Sequence, residues 1–330
     1  MHDKSLKKTR NRILELDVLD ALKPLESLSS LEIEFYVCAK FSSWIGNIEI
    51  PKLRKLHIGK CPKLVRLPVL LFASLHDLNV EYCNEVVINC MHNLTSLTIL
   101  KLKEIVGLTS IRKAFKQFPL KLENFEVGDC EDLPTLNCPS LKKMMTLEDC
   151  RTSLEYLSIQ GWANLSFRNL MGCLHNYSSL TLLRILYCND LESFPQDGLF
   201  TPNLRDLVIM FCQNLKTSPD WMEQLLSLET PLVDYCPSLT DSFPQWNSPP
   251  NLTQLAIFNC DKVHNCLKLE ALSMEDQLVS LWKLDIYDYP LLKKCCLKNR
   301  GYYRPIISDI PNVRIDWRSI HDPDTSPGIP

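Results

Sequence analysis

Cysteine and histidine are the residues of this chain whose types could bind a metal or act as nucleophiles. The 330-residue sequence contains 15 cysteines and 7 histidines, which would suffice for zinc sites, disulfides or reactive thiols. Cys260, His264 and Cys266 have a loosely ligand-like spacing. No Cys-x-x-Cys pair occurs in the chain, and Cys260 belongs to a different pattern, described next. We therefore expect no metal site and no cofactor.

Eight of the cysteines share one position in a recurring cassette. Each lies five residues after the second leucine position of that cassette, and they are Cys61, Cys83, Cys130, Cys150, Cys188, Cys212, Cys236 and Cys260. A disulfide framework does not place one thiol per repeat at constant phase. A column of small buried side chains does, because free cysteine behaves as a small apolar residue. Since no signal peptide is present, we expect reduced thiols.

The cassette that positions these cysteines reads Leu-x-x-Leu-x-Ile-x-x-Cys-x-x-Leu and returns about every 24 residues. Its first leucine occurs at Leu28, Leu53, Leu75, Leu97, Leu122, Leu154, Leu180, Leu204, Leu228, Leu252 and Leu281. A fixed period of this length is the signature of a leucine-rich-repeat solenoid. The two central apolar residues alternate with variable ones, as in a short strand. The sequence predicts an α/β solenoid of about eleven repeats, with a curved parallel sheet on the concave face and an irregular or short-helical convex side.

The same spacing predicts the domain boundaries and the irregular places. Residues 1–27 flank the solenoid, residues 28–317 form it with a terminating unit at 291–317, and residues 318–330 are a disordered tail. Residues 141–150 are a blurred extra copy, and the long segment 263–281 has room for a short helix. The terminating unit should end in a strand at 313–317. Pro231 replaces an inward strand leucine, so we predict a local bulge there.

Composition and absent motifs exclude several classes of function. The net charge is −3, from 36 basic and 39 acidic residues, so no global field favours nucleic acid. The densest apolar run, 69–73, is too short to span a bilayer, and without a signal peptide we expect a cytoplasmic protein. Nine glycines form no phosphate-binding loop, and no Gly-x-Ser-x-Gly or His-Glu-x-x-His motif occurs. We expect that the chain is not an enzyme.

Variable residues beside the inward pairs of each predicted strand form the candidate site. They are polar in the N-terminal half and become apolar and aromatic from about Leu180 onward. Exposed apolar stripes rimmed by charge commonly mark protein interfaces, and this interpretation is preferred over two alternatives: cover by a helix or loop of the same chain, and degeneration of the repeats. The residues predicted to bind a protein on the concave face are Arg184, Leu186, Tyr187, Val208, Met210, Phe211, Tyr235, Phe258, Trp282 and Tyr287.

Three segments resemble the leucine-rich-repeat region of plant nucleotide-binding disease-resistance receptors of the coiled-coil class. They are DVLDALKP at 17–24 followed by FSSWIG at 41–46, LESFPQDGL at 191–199, and the terminator LKKC at 292–295 with its downstream Gly, Tyr, Pro and Ile residues. The resemblance implies a cytosolic immune receptor whose repeats sense pathogen effectors or a guarded host protein. It also implies that they restrain the receptor's own nucleotide-binding and coiled-coil domains. The P-loop of that switch is missing, so we expect a sensor fragment or truncated relative without nucleotide binding.

Two alternative functions remain open at this stage. One is the substrate-recognition subunit of a ubiquitin ligase, which also uses cysteine-type leucine-rich repeats but would need an F-box-like helical segment. The other is an extracellular receptor-type domain, because Asn93, Asn164, Asn176 and Asn251 begin glycosylation sequons. The repeat style of such receptors is absent from the sequence.

Overall fold

The structure is a computed structural model. It describes residues 27–39, 52–65, 74–84, 96–108, 121–130, 153–161, 177–194, 201–217, 224–239, 251–258, 281–287 and 307–321, together with residues 18, 21, 94 and 174. Most of the segments that return from one strand to the next lie outside these ranges. Three predictions also fall outside them: the blurred copy at 141–150, the short helix within 263–281, and the group Cys260, His264 and Cys266.

Every cassette forms one short strand that begins two residues after its first leucine, which confirms the predicted leucine-rich-repeat solenoid. The strands are β1 Ser30–Glu34, β2 Lys55–Gly59, β3 Asp77–Glu81, β4 Ile99–Lys103, β5 Asn124–Gly128, β6 Tyr156–Gln160, β7 Leu182–Leu186, β8 Asp206–Met210, β9 Thr230–Asp234, β10 Gln254–Phe258, β11 Lys283–Tyr287, β12 Asn312–Ile315 and β13 Arg318–Ser319. The chain divides into two compact units, Met1–Trp162 with β1–β6 and Ala163–Pro330 with β7–β13.

Within each unit the cassette strands pair in parallel and in register, and β13 alone among the described strands pairs antiparallel. In the first unit Leu56 lies opposite Leu78, and in the second Leu183 lies opposite Leu207. Equivalent cassette positions therefore form straight rows across neighbouring strands. In β2–β9 and β11 the second and fourth residues of the strand and the first cassette leucine before it are buried, as are the described ladder cysteines. Among the described residues, no helix is long and apolar enough to cross a membrane.

The predicted column of cysteines is confirmed where it is described. Cys61, Cys83, Cys130, Cys188, Cys212 and Cys236 are buried thiols that are not joined in disulfides. Each thiol is near the carbonyl oxygen two residues earlier, as in the 3.1 Å bond from Cys61 Sγ to Gly59 O. A thiol is a weak donor, so cysteine fits a position that needs both a small apolar group and a donor to the strand end.

The residue directly after each of the strands β1–β9 has a left-handed backbone. Its φ is positive at Phe35, Lys60, Tyr82, Glu104, Asp129, Gly161, Tyr187, Phe211 and Tyr235. For a non-glycine residue this conformation costs about 1–2 kcal/mol. The cost is offset because the N–H still donates to the last carbonyl of the next strand, at 2.9 Å from Phe211 N to Asp234 O. We call these residues the αL row.

The bulge predicted at Pro231 is wrong. β9 is a regular strand, and its pairing with β8 runs unbroken from Thr230 to Asp234. The proline instead affects the pairing of β9 with its other neighbour, β10, which begins only at Leu232. In a parallel ladder alternate residues bond to opposite neighbours, and Tyr235 N donates to Phe258 O of β10 at 3.2 Å. Pro231, four residues earlier, therefore turns its hydrogen-free nitrogen toward β10 and shortens that pairing alone.

The prediction that a disordered tail begins at residue 318 is wrong for residues 318–321, which belong to the described structure. Arg318–Ser319 form β13, which pairs antiparallel with β12. Asp316 and Trp317 connect the two strands with φ values of 47° and 66°, the sign pattern of a two-residue hairpin turn. The final strand predicted at 313–317 is confirmed as β12, although it ends at Ile315. The rest of the terminating unit, at 291–306, lies outside the described residues.

Candidate protein-binding face

The first, third and fifth residues of each strand lie on the face of the sheet opposite to the buried leucines. Side chains alternate between the two faces of a strand, and β3 shows the expected pattern of half-buried and buried residues in turn. We call the surface formed by these positions the outer face. It corresponds to the concave face of the sequence analysis, which was predicted to bind a protein.

In the first unit the outer face is charged, as predicted for the N-terminal half. Lys101 Nζ lies 2.9 Å from Glu126 Oε1, and this hydrogen bond raises the pKa of Lys101. His57 Nε2 lies 3.2 Å from Glu81 Oε1 and 3.7 Å from Glu34 Oε1, which belong to the two neighbouring strands. Half-exposed pairs of this kind contribute roughly 0–1 kcal/mol each. They make this part of the outer face polar.

In the second unit the ten predicted site residues separate into three groups. Arg184 and Val208 are third residues of strands, and Leu186, Met210, Phe258 and Tyr287 are fifth residues. Tyr187, Phe211 and Tyr235 lie in the αL row just after the strands. Trp282 precedes β11, at the opposite end of the strands. The structure thus places the third and fifth strand residues next to the αL-row residues, whereas Trp282 lies apart from both.

The three αL residues of the second unit form a stack of rings, which we call the aromatic ladder. The ring centroids of Tyr187 and Phe211 are 4.5 Å apart with nearly parallel planes, at 5°. Those of Phe211 and Tyr235 are 5.2 Å apart at 29°. Tyr187 is 44% exposed and Tyr235 is 52% exposed. Such ring pairs contribute about 0.5–1.5 kcal/mol each beyond buried area, so the ladder is held rigid while it faces solvent.

At β11 the outer face is covered, which corrects part of the site prediction. Tyr287 is only 3% exposed and its neighbour on that face, Asp285, is 6% exposed. Trp317 packs on Tyr287 with ring centroids 4.0 Å apart. Tyr287 is therefore a packed residue in this structure and presents almost no surface to a partner. The ring of Phe258, at 4.8 Å from that of Tyr287, marks the edge of the open part.

The sequence prediction missed Trp317, which is 79% exposed. Its position directly after a predicted strand could have indicated its exposure, since a hairpin turn presents its side chains outward. The prediction also placed the ladder on the strands themselves. No residue type marks the αL row, because Phe, Lys, Tyr, Glu and Asp all occupy it.

Comparisons with known proteins agree with this architecture. Residues 2–83 match the family model for R13L1/DRL21 LRRs, a leucine-rich-repeat family of plant resistance proteins. The match confirms over this stretch the resemblance seen in segments 17–24 and 41–46. None of the curated proteins matches the chain. The resemblance of the segments beyond residue 83 stays a prediction.

Several solved structures have a similar fold. An internalin from Listeria monocytogenes has 16% identity and a TM-score of 0.40, covering 79% of this chain and 81% of its own. The leucine-rich-repeat domain of the type III effector XopL has 15% identity and a TM-score of 0.38, covering 94% and 82%. A leucine-rich-repeat protein of Leptospira interrogans has 16% identity and a TM-score of 0.39, covering 88% and 84%. At these values the likeness concerns the fold alone.

Proposed function

We propose that this chain is a non-catalytic protein-recognition module of plant innate immunity. It senses pathogen effectors or a guarded host protein, or it regulates the nucleotide-binding switch of a resistance protein. It does so in the cytoplasm. The immune part of the proposal is supported by the match of residues 2–83 to repeats of plant resistance proteins.

The aromatic ladder is the observation that carries the recognition part. Tyrosine, tryptophan and phenylalanine dominate the energetics of protein interfaces, because one rigid ring buries a large area. A side chain that is already fixed loses less entropy when a partner binds. Phe211 holds Tyr187 on one side and Tyr235 on the other, so both exposed rings are ordered before binding. Leucine-rich-repeat solenoids typically serve as binding modules.

Proximity labelling in plant leaf cells tests the proposal. The chain is fused to a biotin ligase and expressed with and without pathogen challenge. A variant with Tyr187→Ala, Phe211→Ala and Tyr235→Ala is compared with wild type and with Tyr82→Ala. Tyr82 is the matched control because it is an αL-row aromatic residue of the charged first unit.

We expect wild type and Tyr82→Ala to label the same pathogen-delivered or resistance-protein partners, and the triple variant to lose them. Circular dichroism of the purified variants checks that the ladder substitutions leave the sheet folded. If the triple variant labels the same proteins as wild type, the ladder is not the recognition surface and the proposal is wrong.

A further inference from the structure

Three carboxylates and one imidazole meet on the outer face of the strands β1, β2 and β3. Glu32 lies opposite His57 in the register of β1 and β2. Glu34 and Glu81 lie opposite Gly59, one on each side of β2. One ligand-type atom each of Glu32, Glu34 and His57 lies within 4.8 Å of the other two. We call Glu32, Glu34, His57 and Glu81 the His57 cluster, to which three successive repeats contribute.

The cluster holds more negative charge than its imidazole can balance. His57 Nε2 is 3.7 Å from Glu34 Oε1 and 3.2 Å from Glu81 Oε1. Both carboxylates therefore share one ring nitrogen, which carries at most one proton. Even a charged imidazole supplies one positive charge against the three negative charges of the glutamates. An added cation would relieve the repulsion between these carboxylates.

The lysines of β4 do not supply that cation. Lys101 Nζ lies 2.9 Å from Glu126 Oε1, and Lys103 Nζ lies 4.0 Å from Asp129 Oδ2. Both lysines thus pair with acidic residues of the next repeat and not with the His57 cluster.

Two lysines of the second repeat also make no ion pair with the cluster. Lys60 directly follows Gly59, but its Nζ lies over the ring of Phe35, 4.6 Å from the centroid. Lys55 begins β2, at the opposite end of the strand from Gly59. In the described part of the chain, His57 is the one basic side chain that pairs with a glutamate of the cluster.

Gly59 leaves the space in which these side chains meet. A Cβ at this position would lie 2.9 Å from His57 Nε2 and 3.1 Å from Glu34 Oε1. Non-bonded heavy atoms pack best at about 3.5–4.0 Å, so a larger residue would push the nitrogen and the carboxylate away. The glycine thus permits a nitrogen ligand and an oxygen ligand to converge above the strand.

The ligand types and their spacing suit zinc. Zinc binds histidine nitrogen and carboxylate oxygen at about 2.0–2.2 Å, so the ligand atoms of a tetrahedral site lie roughly 3.3–3.6 Å apart. The distances of 3.2 and 3.7 Å from Nε2 to the two nearest carboxylate oxygens are close to this range. Glu32 and Glu34 are exposed, so their side chains can adjust to an ion. Magnesium and calcium prefer oxygen ligands alone, and the imidazole therefore favours zinc.

We propose that the His57 cluster binds a zinc ion. His57 Nε2, as the neutral imidazole, and one oxygen each of Glu32 and Glu34 bind the metal, and Glu81 completes the tetrahedral set. The proton that Nε2 otherwise donates to Glu81 is released to solvent when the metal binds. The ion joins side chains from three strands, so it stabilises the folded first unit. The site is separate from the aromatic ladder and does not depend on the proposed function.

From the cysteine spacing we expected no metal site, and that spacing could not have indicated this one. The ligands come from three different repeats, and each occupies a variable position of its cassette. Only the register of the strands brings them together.

Isothermal titration of the metal-free full chain with zinc chloride tests the proposal. His57→Gln keeps a polar side chain but loses the imidazole ligand. We expect this variant to bind one equivalent of zinc fewer than wild type, or to bind that equivalent at least about tenfold more weakly. His76→Gln is the matched control, because His76 directly precedes β3 and its Nδ1 lies 2.6 Å from Ser74 O. Its zinc binding should equal that of wild type.

Two further variants test the carboxylates and the space above β2. Glu34→Gln should weaken zinc binding about tenfold, since it removes an anionic ligand. Gly59→Ala should weaken it as well, because the new Cβ would displace the ligand atoms of His57 and Glu34. Circular dichroism checks that both variants remain folded. Magnesium chloride, titrated in place of zinc chloride, should bind much more weakly.

The imidazole nitrogen provides a readout that does not depend on stability. In a chain with isotope-labelled histidines, zinc should shift the Nε2 resonance that is missing from the spectrum of His57→Gln. Loss of zinc binding in His57→Gln and Glu34→Gln, with His76→Gln unchanged, would support the proposal. Equal zinc binding by wild type and His57→Gln, no zinc binding by wild type, or magnesium binding as tight as zinc binding would overturn it.

Discussion

Replacing Pro231 by leucine should stabilise the second unit. Pro231 occupies a buried core position of β9, in register with Leu207 of β8. At the same cassette position β10 has Leu255, which is also buried, so the column is built for leucine. The new N–H would point toward β10, where pairing now begins only at Leu232. We therefore expect pairing to extend back toward Thr230 and Gln254.

The magnitude follows from three contributions. A restored backbone hydrogen bond contributes about 0.5–1.5 kcal/mol. The leucine side chain buries roughly one more carbon than proline, worth about 0.8 kcal/mol. Removing proline from the unfolded chain costs about 0.4–1 kcal/mol in entropy. The net gain is about 1 kcal/mol, and Pro231→Ala should instead lose about 1 kcal/mol, since it restores the donor but buries about two carbons fewer.

Urea unfolding monitored by circular dichroism measures both free energies, and amide hydrogen exchange reports on the new donor. In the leucine variant the amide of residue 231 should exchange as slowly as that of a strand interior. A leucine variant that is no more stable than wild type, with a rapidly exchanging amide at 231, would refute the assignment of the proline nitrogen to the β10 side.

Three further predictions concern other parts of the fold. Burial raises the pKa of the Cys130 thiol from 9.0 to about 11, so its stabilising contribution is complete below about pH 9. About 2–3 kcal/mol is then lost as the pH rises to about 11; over this range the free energy of unfolding from urea titrations should fall more steeply in wild type than in Cys130→Ala. Gly161→Ala should destabilise the first unit by more than about 1 kcal/mol, because its φ is +62° and the new Cβ would meet the Asp129 carboxylate. Gly59→Ala should cost less than about 1 kcal/mol, since its Cβ would meet side-chain atoms of His57 and Glu34 and no backbone atom, and equal urea midpoints would contradict this contrast. Phe211→Leu loses two stacked neighbours, and should cost about twice as much in thermal unfolding as Tyr187→Leu, roughly 1–3 kcal/mol; equal losses would show that the stack is not what stabilises the row.

The repeat spacing predicted the strands because alternation with a period of two leaves one register that buries both central residues. Leu56 and Ile58 fix β2 in this way, and the same positions fix each later strand. The cysteine column followed from the same logic. The predicted bulge at Pro231 was wrong because the sequence shows only that a hydrogen-bond donor is missing. Which neighbouring strand loses that hydrogen bond depends on the pairing of the strands.

The site was predicted less completely than the fold. The apolar and aromatic composition of the second unit identified Tyr187, Phe211 and Tyr235 as surface residues, and the structure exposes two of them substantially. Their stacking depends on the left-handed backbone of the αL row, and no single residue type predicts that backbone conformation. The ring that packs on Tyr287 belongs to Trp317, which is 30 positions away in the sequence. Contacts of this kind are set by the end of the sheet and not by the cassette.

The sequence by itself determined the strand positions, the buried leucines and thiols, and the change from a polar to an aromatic outer face. These properties are local, because each depends only on the phase of a residue within its own repeat. The tertiary structure alone decided which rings touch, which carboxylates approach His57, and where the outer face is covered. Those properties arise from the stacking of one repeat on the next, where distances between side chains depend on backbone geometry at the strand ends.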